Sequence, residues 1–372
     1  MNKYIWQLPN WSQFSWDKKI LNPLIANTKI KQEKLLQKIQ NLMDDDLKKA
    51  QAIIFEKETL KTAQIEGEKY NPESVKSSIN KRLGLESVGL PKTERHIDGL
   101  VEVLFDATQK HDKDLTKERL FKWHAALFPT GYSGLSKIDV GKFRSDKEGS
   151  MKVVSGVMGL EKIHYQAPPA TNISKEIEFF LNWWKASELK LDNTIRAGIS
   201  HLYFVTIHPF DNGNGRIARV ITDMALSQND KLFKRYYSLS NEILNQRKSY
   251  YEILEQSQKG NKDITNWLVW FANCFSKSLD HSDVLLKDIF AKTKFWKKHS
   301  NKDINEKQKK VINKLLDAGK GNFDGNLTSR KYMSITSASK RTAVREIQDL
   351  LLKKMLIQNE EKGRNINYDI NW

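Results

Sequence analysis

The sequence predicts a mainly α-helical protein with one small β-hairpin in its core and a second hairpin at its C-terminal end. Three observations carry this. Apolar residues recur at three- and four-residue spacing through most of the 372 residues. β-branched runs gather around only two polar, Gly-containing turns, near residues 156 and 363. No stretch approaches 18 uninterrupted apolar residues, so no membrane span is expected.

Composition narrows the class. With 39% hydrophobic and 29% charged residues the chain reads as globular, and its length allows two or three domains. A single cysteine, Cys274, excludes an internal disulfide framework and suits a reducing compartment. The N-terminus has no apolar export segment, so a cytoplasmic location is expected. The formal charge is +17, and residues 281–372 alone carry 20 Lys/Arg against 11 Asp/Glu. That concentration points to an acidic partner for the C-terminal region.

Taken in order, residues 1–23 space Trp6, Trp11 and Trp16 five apart, which suits neither helix nor strand. They read as an irregular segment clamped onto a core by its rings. Helical patterning starts near Ile30 and resumes after Asp44-Asp45-Asp46, an acidic first turn of the favoured sign. That second helix runs to Glu66, with Gly67 at its C′ position. Pro72–Arg82, Glu94–Ala107 and Leu115–Phe128 read as further helices, and His124 as a satisfied core histidine. Gly141–Ser145, Val153-Val154-Ser155-Gly156 and Lys162-Ile-His164-Tyr165 suggest a hairpin with an open edge, able to accept a strand from a partner. Ile177, Phe180, Leu181 and Trp184 form another inner face, and Ile243–Leu254 and Ile264–Phe275 add two helices.

The chemistry concentrates in Thr206–Arg219. The helix over 192–207 is stopped by Pro209. Asn212-Gly-Asn-Gly then supplies a turn that lets the backbone approach a ligand, before a helix with Ile217, Val220, Ile221 and Met224 inside. Free N–H groups at that helix start form an anion site. Arg216 and Arg219 are cations at the wrong helix end, costing about 0.3–1 kcal/mol each unless an anion lies between them. His208 sits at the lip as a general base. Glu66, at the negative end of its helix, is the mirror-image misfit, and a Glu66–Arg219 pair would relieve both.

The string resembles the Fic signature H-x-F-x-(D/E)-G-N-G-R-x-x-R. His208, Phe210, Gly213, Asn214, Gly215, Arg216 and Arg219 match, and Asn212 replaces the acidic position. Thr62-x-x-x-Glu66-Gly67 is similar to the inhibitory motif of self-inhibited Fic proteins, whose glutamate pairs with the second arginine. The resemblance implies a Fic helical core with a small β-hairpin flap, and transfer of AMP from ATP to a target protein's hydroxyl. It implies His208 as base, Gly213, Asn214 and Gly215 around the phosphates, and Arg216 and Arg219 on the β- and γ-phosphates. Glu66 would be the brake. Val153, Val154, Ser155, His164 and Tyr165 would form the target-docking flap. Mg²⁺ would fall to Asn212 or Asp211, neither in the family's usual arrangement. AMP removal and transfer of another phosphate-containing group are the alternatives at the same site.

The C-terminal module pairs helices over 303–318 and 328–333 with one over 338–353, capped by Thr336 or Ser337. Val344, Ile347, Leu350 and Leu351 lie inside, with Lys340, Arg341 and Arg345 outside. With a hairpin around Glu360–Arg364 this resembles a winged helix-turn-helix, for which DNA, a protein partner or a homodimer are the candidate contacts. A DNA-binding regulator using the Fic core as a nucleotide sensor is therefore the alternative function. The expected boundaries are 1–92 for the N-terminal segment and inhibitory helix, 93–275 for the core, 276–304 for a helical linker and 305–372 for the winged module.

Overall fold

The computed structural model describes residues 3–147, 149–155, 162–229, 235–359 and 366–372. Gly156 and the expected wing tip, Glu360–Arg364, lie outside them. Contacts divide the chain into a first unit, residues 1–34 and 51–282, and a second, residues 35–50 and 283–372.

Helices dominate the described residues. In chain order they are α1 (Lys18–Gln40), α2 (Asp44–Ile65), α3 (Pro72–Leu83), α4 (Arg95–Gln109) and α5 (Lys117–Leu127). Two short antiparallel pairs follow, β1 (Tyr132–Ser133) with β2 (Ser136–Lys137) and β3 (Lys152–Ser155) with β4 (Lys162–Gln166). Then come α6 (Ile173–Ser187), α7 (Asn193–Ile207), α8 (Asn214–Asn229), α9 (Leu239–Asn245), α10 (Arg247–Lys259) and α11 (Thr265–Leu285). The chain ends with α12 (Lys287–Lys298), α13 (Glu306–Ala318), α14 (Ser329–Thr336), α15 (Lys340–Leu352) and the pair β5 (Leu356–Gln358) and β6 (Tyr368–Ile370). No described helix is long and apolar enough to cross a membrane.

In the first unit α7 is the axis. Every residue from Thr194 to Ile207 is buried, which explains why its sequence is apolar on more than one face. The N-terminal aromatics clamp this unit as expected. The Trp6 Nε1 donates to the Gln166 carbonyl at 2.8 Å and the Trp11 Nε1 to Glu176 at 3.1 Å. The Trp11 ring meets Tyr203 edge-on at 4.9 Å. Each ring buries an apolar body while its N–H finds an acceptor.

Several expectations change. α1 begins at Lys18, not near Ile30, because the Asp17 carboxylate accepts the Lys19 N–H and buried Leu21 and Ile25 outweigh Pro23 inside the helix. The helix expected over Ile243–Leu254 is two, broken at Gln246. Gly141–Ser145 forms no strand, since the Arg144 N–H bonds the Pro209 carbonyl instead of a ladder partner. α15 is capped by Ser339; Thr336 closes α14 and Ser337 follows in the left-handed region. Val344 is 43% exposed, not inside. Its neighbour Glu346 takes the inward place, accepting hydrogen bonds from Tyr332 and Asn305.

One buried cluster fixes α2 against α8. Glu58 faces Arg235 at 3.2 Å, Arg235 also pairs with Asp223 of α8, and Ser238 and Ser240 donate to Glu58. Without Glu58 the buried Arg235 keeps only Asp223, and the Ser238 and Ser240 hydroxyls lose their acceptor. Glu58→Ala is therefore expected to cost about 3–5 kcal/mol in urea unfolding of the first unit. A loss under about 1 kcal/mol would show the cluster to be solvated.

Candidate functional site

Glu58, Thr62 and Glu66 are spaced i, i+4, i+8, so α2 presents all three along one face. Glu58 anchors that face, and the other two meet Arg219 of α8. The Arg219 Nε donates to the Thr62 hydroxyl at 2.7 Å, and the guanidinium pairs with Glu66 Oε1 at 2.6 Å. Arg219 is buried, and the Glu66 side chain is 27% exposed. Burial alone would raise the Glu66 carboxyl, but Arg219, aided by Arg216 and Arg247, holds it below the usual carboxylate range. The Arg247 Nε also donates to the Ile65 carbonyl at 3.0 Å, neutralising the negative end of α2.

Arg216 does not share Arg219's partner. It lies over the Phe128 ring and pairs with Glu68 at 3.2 Å, while the Tyr70 hydroxyl donates to the same Glu68 oxygen. Both arginines are thus held by carboxylates at and beyond the end of α2.

The loop between α7 and α8 brings the remaining motif residues together. His208 ends α7 with φ 51°, a left-handed conformation uncommon for a residue with a Cβ. Arg144 over-determines it, donating to the His208 carbonyl at 2.7 Å and to the Pro168 carbonyl at 2.6 Å. The His208 Nδ1 lies 3.1 Å from the Val205 carbonyl, which can only accept. Nδ1 therefore carries the hydrogen, and Nε2 keeps a lone pair. Burial pushes His208 down to about 4, so the imidazole is neutral at physiological pH.

Asn214 folds the loop through its side chain, bonding the Phe210 N–H at 3.0 Å and carbonyl at 2.7 Å. Its backbone N–H, with those of Gly215 and Arg216, belongs to the first turn of α8, where no intrahelical acceptor exists. Gly213 has φ 78°, and a Cβ there would stand 2.8 Å from the Phe128 ring. At Gly215 a Cβ would stand 2.7 Å from Glu66 Oε1, so the glycine admits the carboxylate to the helix start.

His124 is the satisfied core histidine expected, with an added role. Its Nδ1 accepts the Gly141 N–H, so Nε2 carries the hydrogen and donates to the Asn212 carbonyl at 3.2 Å. Its ring stacks on Phe210 at 4.3 Å, which explains why Phe210 is fully buried. Burial pushes His124 down to about 4.

Both residues expected to hold Mg²⁺ already carry hydrogen bonds. The Asn212 amide nitrogen donates to Ser133, and its oxygen accepts the Gly213 N–H at 2.6 Å. Asp211 gives one oxygen to the Asp139 N–H at 2.8 Å. Among the described residues no group of three His, Cys, Asp or Glu converges as a metal site.

In the flap, β3 and β4 pair with a register shift between Val153 and Val154. Val154 and Ser155 are exposed, whereas Tyr165 is buried and donates to the Thr206 carbonyl at 2.6 Å. The Tyr165 side chain therefore anchors the flap to α7 and cannot meet a target from outside. Glu66, Arg219, His208, Gly213 and Val154 line one cavity of about 660 Å³.

Arg247 and Glu68 were assigned no part in the site from sequence, and Arg144 only a place in the flap hairpin. Only Glu68 carried a readable signal, lying two residues beyond Glu66.

The chain resembles known proteins over part of its length. Residues 114–226 match the family model described as the Fic/DOC family. Residues 4–85, which include Glu66, match one described as a domain of unknown function (DUF4172). A protein named "Protein adenylyltransferase Fic" from Nematostella vectensis is 30% identical over 117 residues, covering 30% of this chain and 25% of that protein. A "Probable protein adenylyltransferase" from Aquifex aeolicus is 21% identical over 207 residues, 56% of each. The chain thus spans between a quarter and about half the length of these curated relatives. Among solved structures, a Fic family protein from Desulfovibrio desulfuricans superposes with TM-score 0.56 at 19% identity, over 94% of this chain and 96% of that one. A Fic domain containing signaling protein from Bacteroides thetaiotaomicron gives 0.53 at 19%, over 72% and 97%. These two share the fold.

Proposed function

We propose, from the Fic/DOC domain over residues 114–226 as premise, that the chain transfers AMP from ATP to a hydroxyl of a target protein and is restrained by Glu66. The observation that carries this is the joint presence, in one cavity, of a neutral histidine with a free Nε2 and an arginine-lined helix start occupied by a carboxylate. The α8 N–H groups cradle the α- and β-phosphates. Arg216 and Arg219 neutralise charge toward the leaving pyrophosphate. His208 Nε2 takes the proton of the attacking hydroxyl. Glu66 occupies the guanidinium that a γ-phosphate would need. No step is routed through a metal; Asp211, which gives one carboxylate oxygen to the Asp139 N–H, would be the protein ligand to an ATP-bound Mg²⁺.

The experiment is labelled-ATP transfer to other proteins in a cell extract, comparing wild type, Glu66→Gly and Glu66→Gly/His208→Asn. Label on other proteins in the single variant alone supports the reading. Label equal in the single and double variants would refute the role of His208. The base also sets the pH profile. A group whose pKa is lowered to about 4 stays deprotonated well below the ordinary histidine value of 6.5. kcat/KM should hold level from about pH 8 downward and fall only toward about pH 4. An inflection near 6.5 would overturn this expectation, whether His208 titrates at its ordinary value or another group governs the rate.

For the second unit we propose a winged helix-turn-helix used as a protein-contact module. Its α15 exposes Lys340, Arg341 and Arg345 beside Val344 and Leu352, a mixed basic and apolar face. DNA binding relies on phosphate contacts and is steeply salt-dependent. Duplex binding that collapses with salt and is lost on Arg341→Ala/Arg345→Ala would replace this reading with the DNA one.

A further inference from the structure

Tyr4 and Trp6 do more than cover the core, because both end on β4 of the flap. Three successive residues of that strand are each held by a different element. The His164 Nδ1 lies 2.6 Å from Glu255 Oε2 of α10. The Tyr165 hydroxyl donates to the Thr206 carbonyl of α7 at 2.6 Å, two residues before His208. The Gln166 carbonyl accepts the Trp6 Nε1–H at 2.8 Å. β3 joins this anchored strand through their ladder and through Ser155 Oγ, 2.6 Å from the His164 Nε2.

The third tether has its own architecture. Successive residues of an antiparallel strand point their backbone groups toward the partner strand and then away from it. The Ala167 N–H bonds the Met151 carbonyl at 3.0 Å, so the Gln166 carbonyl faces out of the hairpin, at the edge of β4. Trp6 reaches it from a short 3-10 turn, Ile5–Gln7, where the Gln7 side chain accepts the Lys3 and Tyr4 N–H groups at 2.7 and 2.9 Å. The Tyr4 ring meets Tyr165 edge-on at 5.3 Å, and both are buried with Ala167 against Trp6, Met151 and Val153. Met151 and Val153 also line the cavity that holds His208. Two residues beyond Gln166, the Pro168 carbonyl is held by the same Arg144 guanidinium that holds the His208 carbonyl. Flap and base are thus set from one end of β4, and Trp6 fixes that end.

We propose that Trp6 and Tyr4 are positioning residues for transfer, holding β4 so that a target segment on the flap presents its hydroxyl to His208. This rests on the transfer reading above. Without the Trp6 bond, β4 keeps its ties to α7 and α10 and pivots on them. The flap is displaced while the nucleotide cradle at the start of α8 is untouched. Residues 4–85, matched to the domain of unknown function, thereby act on the Fic/DOC domain twice, through Trp6 on Gln166 and through Glu66 on Arg219.

The test is made in the full chain carrying Glu66→Gly. Trp6→Phe keeps an aromatic ring and removes the Nε1 donor. Trp11→Phe is the control, since it removes the equivalent donor from the clamp on α6, where Trp11 meets Glu176. Amide exchange over residues 151–155 and 162–167, read by mass spectrometry, should quicken by about 2- to 10-fold in Trp6→Phe, the effect of one lost hydrogen bond. It should stay unchanged in Trp11→Phe. Transfer from ATP labelled at the α-phosphate to proteins of a cell extract should fall by about the same factor in Trp6→Phe alone, with the KM for ATP unchanged. Tyr4→Ala should reproduce that loss. Equal losses in Trp6→Phe and Trp11→Phe would reduce Trp6 to a structural clamp and overturn the proposal. Faster flap exchange with transfer intact, or transfer lost only through a raised KM for ATP, would overturn it and leave the transferase reading standing. No transfer from the Glu66→Gly chain itself would overturn both.

Discussion

Glu66→Gly is expected to raise nucleotide transfer to other proteins by roughly 5- to 150-fold, the span of a coupling free energy of about 1–3 kcal/mol. The variant removes the carboxylate that holds the Arg219 guanidinium at 2.6 Å and stands at the start of α8. It leaves the fold's anchor intact, because α2 is fixed two turns earlier by Glu58 and Arg235. Thr62 still holds the Arg219 Nε, so the guanidinium remains aimed at the cavity. The gain should appear chiefly in kcat/KM, since the freed arginine meets the polyphosphate in both ground and transition states. Arg216 remains tied to Glu68 in this variant, so adding Glu68→Gln should raise transfer further. The opposite sign is informative. If Glu66 orients a water for AMP removal, Glu66→Gly would instead lose the ability to strip AMP from a modified protein. Unchanged transfer with unchanged ATP affinity would end the brake reading.

Replacing His208 in the Glu66→Gly background is expected to reduce that transfer by about 10²- to 10⁴-fold, the range for loss of a positioned general base. His208→Asn is the better variant than His208→Ala. Asparagine tolerates the left-handed backbone at φ 51°, so the loop geometry is kept while the base is lost. ATP binding, followed by calorimetry, should change far less than turnover. A loss confined to ATP affinity would make His208 a contact residue rather than the base. Arg144→Met gives the complementary case. It leaves the imidazole in place but frees its peptide, so kcat should fall with only a small change in KM.

Much of this site was legible because its signals are local. The glycine turn, the two misplaced arginines and the acid at a helix end each violate a rule of helix electrostatics within a few residues. The i, i+4, i+8 spacing of Glu58, Thr62 and Glu66 is likewise written in the chain. Arg144 was not legible, because nothing near it in sequence shows that its guanidinium meets carbonyls 64 and 24 residues away. Tyr165 misled for a related reason. Strand alternation does not say which face of a two-stranded hairpin is covered, and the covering element is α7. The break at Gln246 has no Gly or Pro to mark it. It coincides with the positioning of Arg247 on the end of α2.

The sequence by itself determined that the chain is mainly helical, where the motif loop lies and which residues are electrostatically out of place. Periodicity, capping and turn chemistry act over a few residues and need no partner. Only the tertiary structure decided which opposite charges meet: Glu66 with Arg219 across 153 positions, Glu68 with Arg216 across 148. It alone joined Ser155 and His164 to Glu255. Such pairings depend on how helices pack, and packing is set by the whole buried surface at once rather than by any stretch of chain.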